Sequence, residues 1–113
     1  MTKATLILLD SKFLGEFYFT KDPAALARKM LDDGYYSEVM TLDVYEEGEE
    51  AAEEVFDLTN NPYRQGERIV KYGRGRSASV GDMVKVDGEY FLCRPCEWMK
   101  IEVAAAPSNW MEV

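Results

Sequence analysis

Three groups of residues could carry chemistry. Cys93-Arg94-Pro95-Cys96 has the C-x-x-C spacing of dithiol redox motifs and zinc knuckles. A redox pair sets its first thiol at a helix N-terminus, where the pKa falls; here Cys93 closes a predicted strand and Pro95 lies between the thiols. As a knuckle the pair supplies two of the four ligands zinc needs, and the chain contains no histidine. A four-cysteine site shared across a dimer is the remaining metal arrangement, and the expectation is that both cysteines are small packing residues. The second group, Arg76-Ser77-Ala78-Ser79-Val80-Gly81-Asp82, fails as a catalytic serine site: there is no histidine, Lys71 is the only nearby lysine, and no glycine-bracketed elbow surrounds either serine. It reads as a turn in which Ser and Asp side chains bond nearby backbone N–H groups, Gly81 permits positive φ, and Arg76 lies close to the Asp82 carboxylate; a binding loop is the alternative. The third group is Glu46, Glu47, Glu49, Glu50, Glu53 and Glu54. Acid–base catalysis needs two carboxyls in different environments, whereas these share one solvated face. They also lack the D-x-D-x-D-G loop of a calcium hand. No catalytic residue, metal or cofactor is expected.

These residues sit in a chain of 113 amino acids, enough for one domain that buries on the order of 65% of its extended surface. The net charge of -8 is unevenly distributed. From Met30 to Tyr63 there are 11 acidic residues and no Lys or Arg; the remainder carries all 13 basic residues against 10 acidic ones. The basic patch Arg64, Arg68, Lys71, Arg74 and Arg76 follows directly, opposed only by Glu67. Either the two halves solvate different faces and pair weakly, or one face recognises a charged partner. Duplex DNA is disfavoured as a direct ligand by repulsion from phosphate, and a basic protein is the better fit. Tyr35-Tyr36, Tyr18 and Phe19 could stack on the bases of single strands, but core and strand packing is the better explanation. Apolar runs such as Leu6–Leu9 fall far short of the ~20 residues of a membrane span. The N-terminus has no signal-peptide pattern, so a cytoplasmic protein is expected.

The elements that must position these groups follow from pattern. Ala4–Leu9 reads as a buried strand and Phe13–Phe19 as a second, with Gly15 inside it. Asp22-Pro23 opens a helix, with Asp22 as N-cap and Pro23 at the first position; Leu26, Ala27, Met30 and Leu31 form its apolar face and Gly34 stops it. Tyr36–Tyr45 is a third strand, in which Met40, Leu42 and Val44 share the more apolar face. Glu49–Leu58 is a second helix, with Ala51, Ala52, Val55 and Phe56 inward and Glu49, Glu50, Glu53, Glu54 and Asp57 outward. Five like charges with no basic i+4 partner reduce helix stability. Thr59-Asn60-Asn61-Pro62 ends it. A short strand is expected at Arg68–Tyr72, with Gly73 and Gly75 loosening its end. Asp87-Gly88 between Met83–Val86 and Glu89–Leu92 predicts a hairpin with a type I′ turn. Met99–Val103 reads as a last strand and residues 104–113 as a tail that Trp110 and Met111 tie back to the body.

Three strings, Leu42-Asp43-Val44-Tyr45-Glu46, Glu54-Val55-Phe56-Asp57-Leu58-Thr59-Asn60-Asn61-Pro62 and Arg76-Ser77-Ala78-Ser79-Val80-Gly81-Asp82, resemble a group of small bacteriophage proteins. The same ending is seen in YodL-like domains of mobile elements, where an acidic E-x-F-x-x-x-N helix precedes R-S-x-S-V-G-D and a closing hairpin. The resemblance covers about Leu42 to Ile101, with Glu97 where a glycine is expected and Cys93 and Cys96 outside the pattern. It implies a phage-encoded accessory protein of the host cytoplasm, without a defined activity.

The expected architecture is a single α+β domain over residues 1–103: an antiparallel sheet of about five to seven strands against two short helices, with a C-terminal β-hairpin. The expected function is non-enzymatic binding of a host or phage protein, with no direct nucleic-acid or membrane contact. Glu46, Glu49, Glu50, Glu53, Glu54 and Asp57 on the acidic side and Arg64, Arg68, Arg74 and Arg76 on the basic side are the candidate contact residues. The alternative is a DNA mimic that blocks a host nucleic-acid enzyme or defence complex through the acidic helix.

Overall fold

In the computed structural model, which describes residues 1–103, the chain is an α+β domain built on one five-stranded antiparallel sheet. The strands are β1 (Thr2–Leu9), β2 (Tyr36–Val44), β3 (Met83–Val86), β4 (Glu89–Cys93) and β5 (Trp98–Ile101), in the order β2-β1-β3-β4-β5. Helices α1 (Pro23–Asp32), α2 (Gly48–Asn60) and α3 (Gln65–Lys71) complete it, with 3-10 segments at Ser11–Tyr18 and Pro62–Arg64.

Both faces of the sheet are covered over most of their area, which explains why β1 reads as a nearly continuous apolar run. On one face Ala4, Leu6, Val84, Val86 and Phe91 meet Ala51, Ala52, Val55 and Leu58 of α2. On the other, Ile7, Leu9, Met83 and Leu92 meet Ala27, Met30 and Leu31 of α1 together with Phe17. A register shift between Leu6 and Ile7 in the β1–β2 pairing bends the outer strand. No helix among the described residues is long and apolar enough to cross a membrane.

The local signals act where expected at two junctions. Asp22 accepts the Ala25 N–H at 3.1 Å and caps α1. Asp87 and Gly88 both take positive φ, 49° and 83°, as a type I′ turn requires.

Three assignments differ. Phe13–Phe19 is not a strand: Phe13–Tyr18 lies in the 3-10 segment Ser11–Tyr18, and Phe19 is its C-cap. Asp10 accepts the Lys12 and Phe13 N–H groups through its side chain and carbonyl and starts the turn. Phe13, Leu14 and Phe17 then lie on one helical side against the core, while β3 takes the sheet position beside β1. Arg68–Tyr72 is mostly helical rather than extended, because Arg64–Glu67 and Glu67–Lys71 side-chain pairs support α3 at i+3 and i+4. The described residues therefore hold three α-helices, not two. The last strand begins at Trp98 and ends at Ile101, one residue earlier at its start than expected and two at its end. The tail, with Trp110 and Met111, lies outside the described residues.

Candidate acidic cleft and its supporting polar knot

Asp82 anchors a knot that sets the chain's path from α3 into β3. Its side chain is only 1% exposed, and it takes part in a two-pronged ion pair with Arg76, at 2.8 and 2.9 Å. It also accepts the Leu9 N–H at 2.8 Å and the Ser79 N–H at 2.7 Å, and Arg76 donates to the Leu9 carbonyl at 2.7 Å. A carboxylate so buried is tolerable only when its oxygens are fully partnered, and here they are. The Asp82 partnership raises the Arg76 pKa. Gly81 sits at φ +100°, and a Cβ there would meet the Phe17 ring at 3.0 Å, so this position is reserved for glycine on two grounds.

Two of the strings singled out in the sequence, Glu54–Pro62 and Arg76–Asp82, meet in the same knot. Asn60 donates to the Ala78 carbonyl at 3.0 Å, Ala78 N–H donates to Thr59 Oγ1 at 3.0 Å, and Ser77 Oγ donates to the Thr59 carbonyl at 2.8 Å. They lock the end of α2 to the segment entering β3. Arg68 joins them through the Thr59 carbonyl at 3.0 Å, Ser77 Oγ at 3.1 Å and the Gly75 carbonyl, with its guanidinium against the Tyr72 ring.

The basic residues therefore separate. Arg76 and Arg68 hold backbone. Arg64 reaches back over α2 to Glu54 at 2.9 Å and Asp57 at 2.8 Å, while its Nε meets Glu67 at 2.7 Å. These hydrogen bonds, led by Asp57, push the Arg64 pKa up, and the Lys71 and Arg64 bonds pull the Glu67 pKa down. Arg74 is exposed and makes no ion pair among the described residues.

The opposite end of α2 has no such partner. Glu46, Glu49, Glu50 and Glu53 are exposed, and Glu46 is raised above the usual carboxylate range by a hydrogen bond to Glu50 and by its charge. Glu49 and Glu50 occupy the first turn, where the helix dipole favours negative charge. Beside them, between α2 and the turn from β4 to β5, lies a surface cleft of about 500 Å³. Glu49, Glu50 and Glu53 form one wall and Glu97 adds a fourth carboxylate. Phe56 and Trp98, half-buried and packed edge to face with centroids 6.0 Å apart, form an aromatic wall. The Trp98 indole N–H donates to Glu53 at 2.7 Å. Arg94 is the one cation in the lining, and its Nη1 is drawn to the Phe17 carbonyl at 2.6 Å.

Cys93 and Cys96 also border the cleft, both as free thiols. Cys93 is buried, and desolvation pushes its thiol up to about 12, the reverse of what a redox nucleophile needs. Cys96 is exposed. Among the described residues no cluster of three or more acidic or cysteine side chains could hold a metal ion.

Of the residues singled out from sequence, Glu49, Glu50 and Glu53 come together on the cleft, Glu46 joins them through Glu50, and Glu54, Asp57 and Arg64 form a separate ion-paired group. Phe56, Glu97 and Trp98 were not singled out as site residues. The link between Glu53 and Trp98 spans 45 positions, and no local pattern announces it. Compared with protein-family models, curated proteins and solved structures, the chain has no significant match.

Proposed function

We propose that this domain is a non-enzymatic binding protein that takes a basic segment of another protein on the N-terminal half of α2 and the adjoining cleft. On the resemblance over Leu42–Ile101, it is a phage-encoded accessory protein acting on a host or phage protein in the infected bacterial cytoplasm. The observation that carries the reading is the unequal treatment of one acidic helix. Glu54 and Asp57 receive Arg64, whereas Glu46, Glu49, Glu50 and Glu53 face solvent without a basic partner. Such a surface gives up stability through like-charge repulsion and accelerates association with a basic partner. An enzymatic reading has less support, since the Glu46 shift comes from a like-charged neighbour in solvent and not from an apolar environment that would set a general acid apart.

The DNA-mimic reading draws on the same row of carboxylates. It is weakened by Arg64, which interrupts the row by pairing with Glu54 and Asp57 and offsets one of their two charges.

The test is capture from bacterial lysate at low salt with the tagged parent, with Glu49→Gln/Glu50→Gln/Glu53→Gln and with Glu54→Gln/Asp57→Asn. A basic protein retained by the parent and the second variant but lost by the first supports the proposal once its direct binding is measured with purified components. Identical retention by all three contradicts it. Competition of the captured protein by duplex DNA separates a mimic from an ordinary protein contact.

A further inference from the structure

The cleft has a chemistry narrower than acidity alone. It joins a row of carboxylates to an aromatic wall, and the two are tied by the Trp98–Glu53 hydrogen bond at 2.7 Å. An ammonium ion meets both as a point charge, without stacking flat on a ring or forking to a carboxylate. A guanidinium uses both: its plane lies on an aromatic ring while its edge donates in parallel to a carboxylate. The molecule shows each half of this arrangement within itself, at two different arginines. Arg64 spans Glu54 and Asp57 on the C-terminal half of α2, and Arg68 lies against the Tyr72 ring, 5.5 Å from its centroid. The N-terminal half has the same carboxylate spacing with no arginine of its own: Glu50 and Glu53 stand three residues apart, as Glu54 and Asp57 do. Four carboxylates line the cleft against Arg94 alone, whose Nη1 is already bonded to the Phe17 carbonyl.

We propose that this cleft is an arginine-recognition site: a partner protein inserts one arginine side chain, which packs on Phe56 and Trp98 and pairs with Glu50 and Glu53. The inference rests on the reading of the acidic face as a protein-binding surface and deepens it. An external arginine would do for the first half of α2 what Arg64 does for the second. Selectivity for arginine over lysine follows from planar stacking on the wall together with forked pairing to the carboxylates, and dependence on a peptide follows from the acidic rim at Glu46 and Glu49, which engages flanking basic residues.

The test is a nuclear magnetic resonance titration of the full chain, following the indole N–H of Trp98, assigned with Trp98→Phe. The probes are the peptide Gly-Arg-Gly-Arg-Gly-Arg-Gly, its lysine counterpart, its citrulline counterpart and free arginine. The arginine peptide should move the Trp98 resonance saturably and bind roughly five- to tenfold tighter than the lysine peptide. The uncharged citrulline peptide should not bind. Glu50→Gln and Glu53→Gln should each weaken the arginine peptide severalfold, since Gln keeps an acceptor for the indole but loses the charge. Equal binding of the arginine and lysine peptides with Trp98 unmoved would overturn the cleft proposal and leave the acidic-face reading standing. Absence of binding by both would remove the two together. Free arginine binding as tightly as the peptide would also overturn it, making the cleft a small-molecule site.

Discussion

The two ends of α2 carry the same residue type in opposite states. At the C-terminal end Glu54 and Asp57 are held by Arg64, and the neighbouring Thr59 and Asn60 are bonded to Ser77 and Ala78 beside the pair of half-buried Arg76 with buried Asp82. At the N-terminal end Glu46 and Glu50 repel each other, and the carboxylates open onto a cleft. The helix itself does not demand this difference, because a lysine at i+4 from Glu49 or Glu50 would have quieted the first turn. The contrast teaches that acidity read along a sequence has two uses. One is internal architecture completed by arginines from a later segment, and the other is surface left unpartnered.

The largest expected effect lies at the knot. Asp82→Ala leaves Arg76 without its counter-charge and the Leu9 and Ser79 N–H groups without acceptors, and should cost about 3–5 kcal/mol in urea unfolding. A loss below about 1 kcal/mol, within the range of ordinary surface changes, would show that the two ends differ less than the geometry implies.

A smaller effect is expected at Arg64. Its ion pairs are partly exposed, so Arg64→Gln should cost about 1 kcal/mol at low ionic strength and less in high salt. The change would also lengthen the open acidic row, so the same variant should bind a basic partner faster. An unchanged association rate would separate the row from recognition.

The thiols sharpen the comparison at the cleft. Cys96 should react with a disulfide reagent in the native protein, and Cys93 only on unfolding. Because burial raises the Cys93 pKa from the ordinary ~8.5 to about 12, its contribution is fully present below about pH 8.5 and declines as pH rises toward 12. Cys93→Ala should flatten that alkaline decline, as measured by unfolding at several pH values.

The smallest effect concerns Glu46 and Glu50. A carboxyl whose folded pKa is raised lends most stability when protonated, below the unfolded value near 4.3, and loses it as pH rises through the folded value. Glu50→Gln should therefore raise the melting temperature slightly at neutral pH and leave it unchanged in acid.

Much of the scaffold was legible because its signals are local. Asp22-Pro23, Asp87-Gly88 and the Ala51, Ala52, Val55 stripe each fix a turn or a face within a few residues. Phe13–Phe19 misled because its aromatics suit either a strand or a tight helix, and only the docking of Phe17 under the sheet decides. Arg68–Tyr72 is expected as a strand, yet side-chain pairing from Arg64 to Lys71 holds a helix that leaves Ile69 and Val70 exposed. The candidate site was half legible. Its carboxylates stood out as a run, but the Arg64 pairing that removes two of them and the Trp98 wall that adds to the rest both arise from tertiary packing.

The central claim is that the open half of α2 binds and the Arg64-bound half does not. The direct measurement is titration calorimetry of the purified captured partner with the parent, with Glu49→Gln/Glu50→Gln/Glu53→Gln and with Glu54→Gln/Asp57→Asn, at two salt concentrations. The first variant should lose about tenfold or more in affinity at low salt, with a flattened salt dependence, while the second stays within about twofold of the parent. Equal affinities for all three at both salt concentrations would contradict the account.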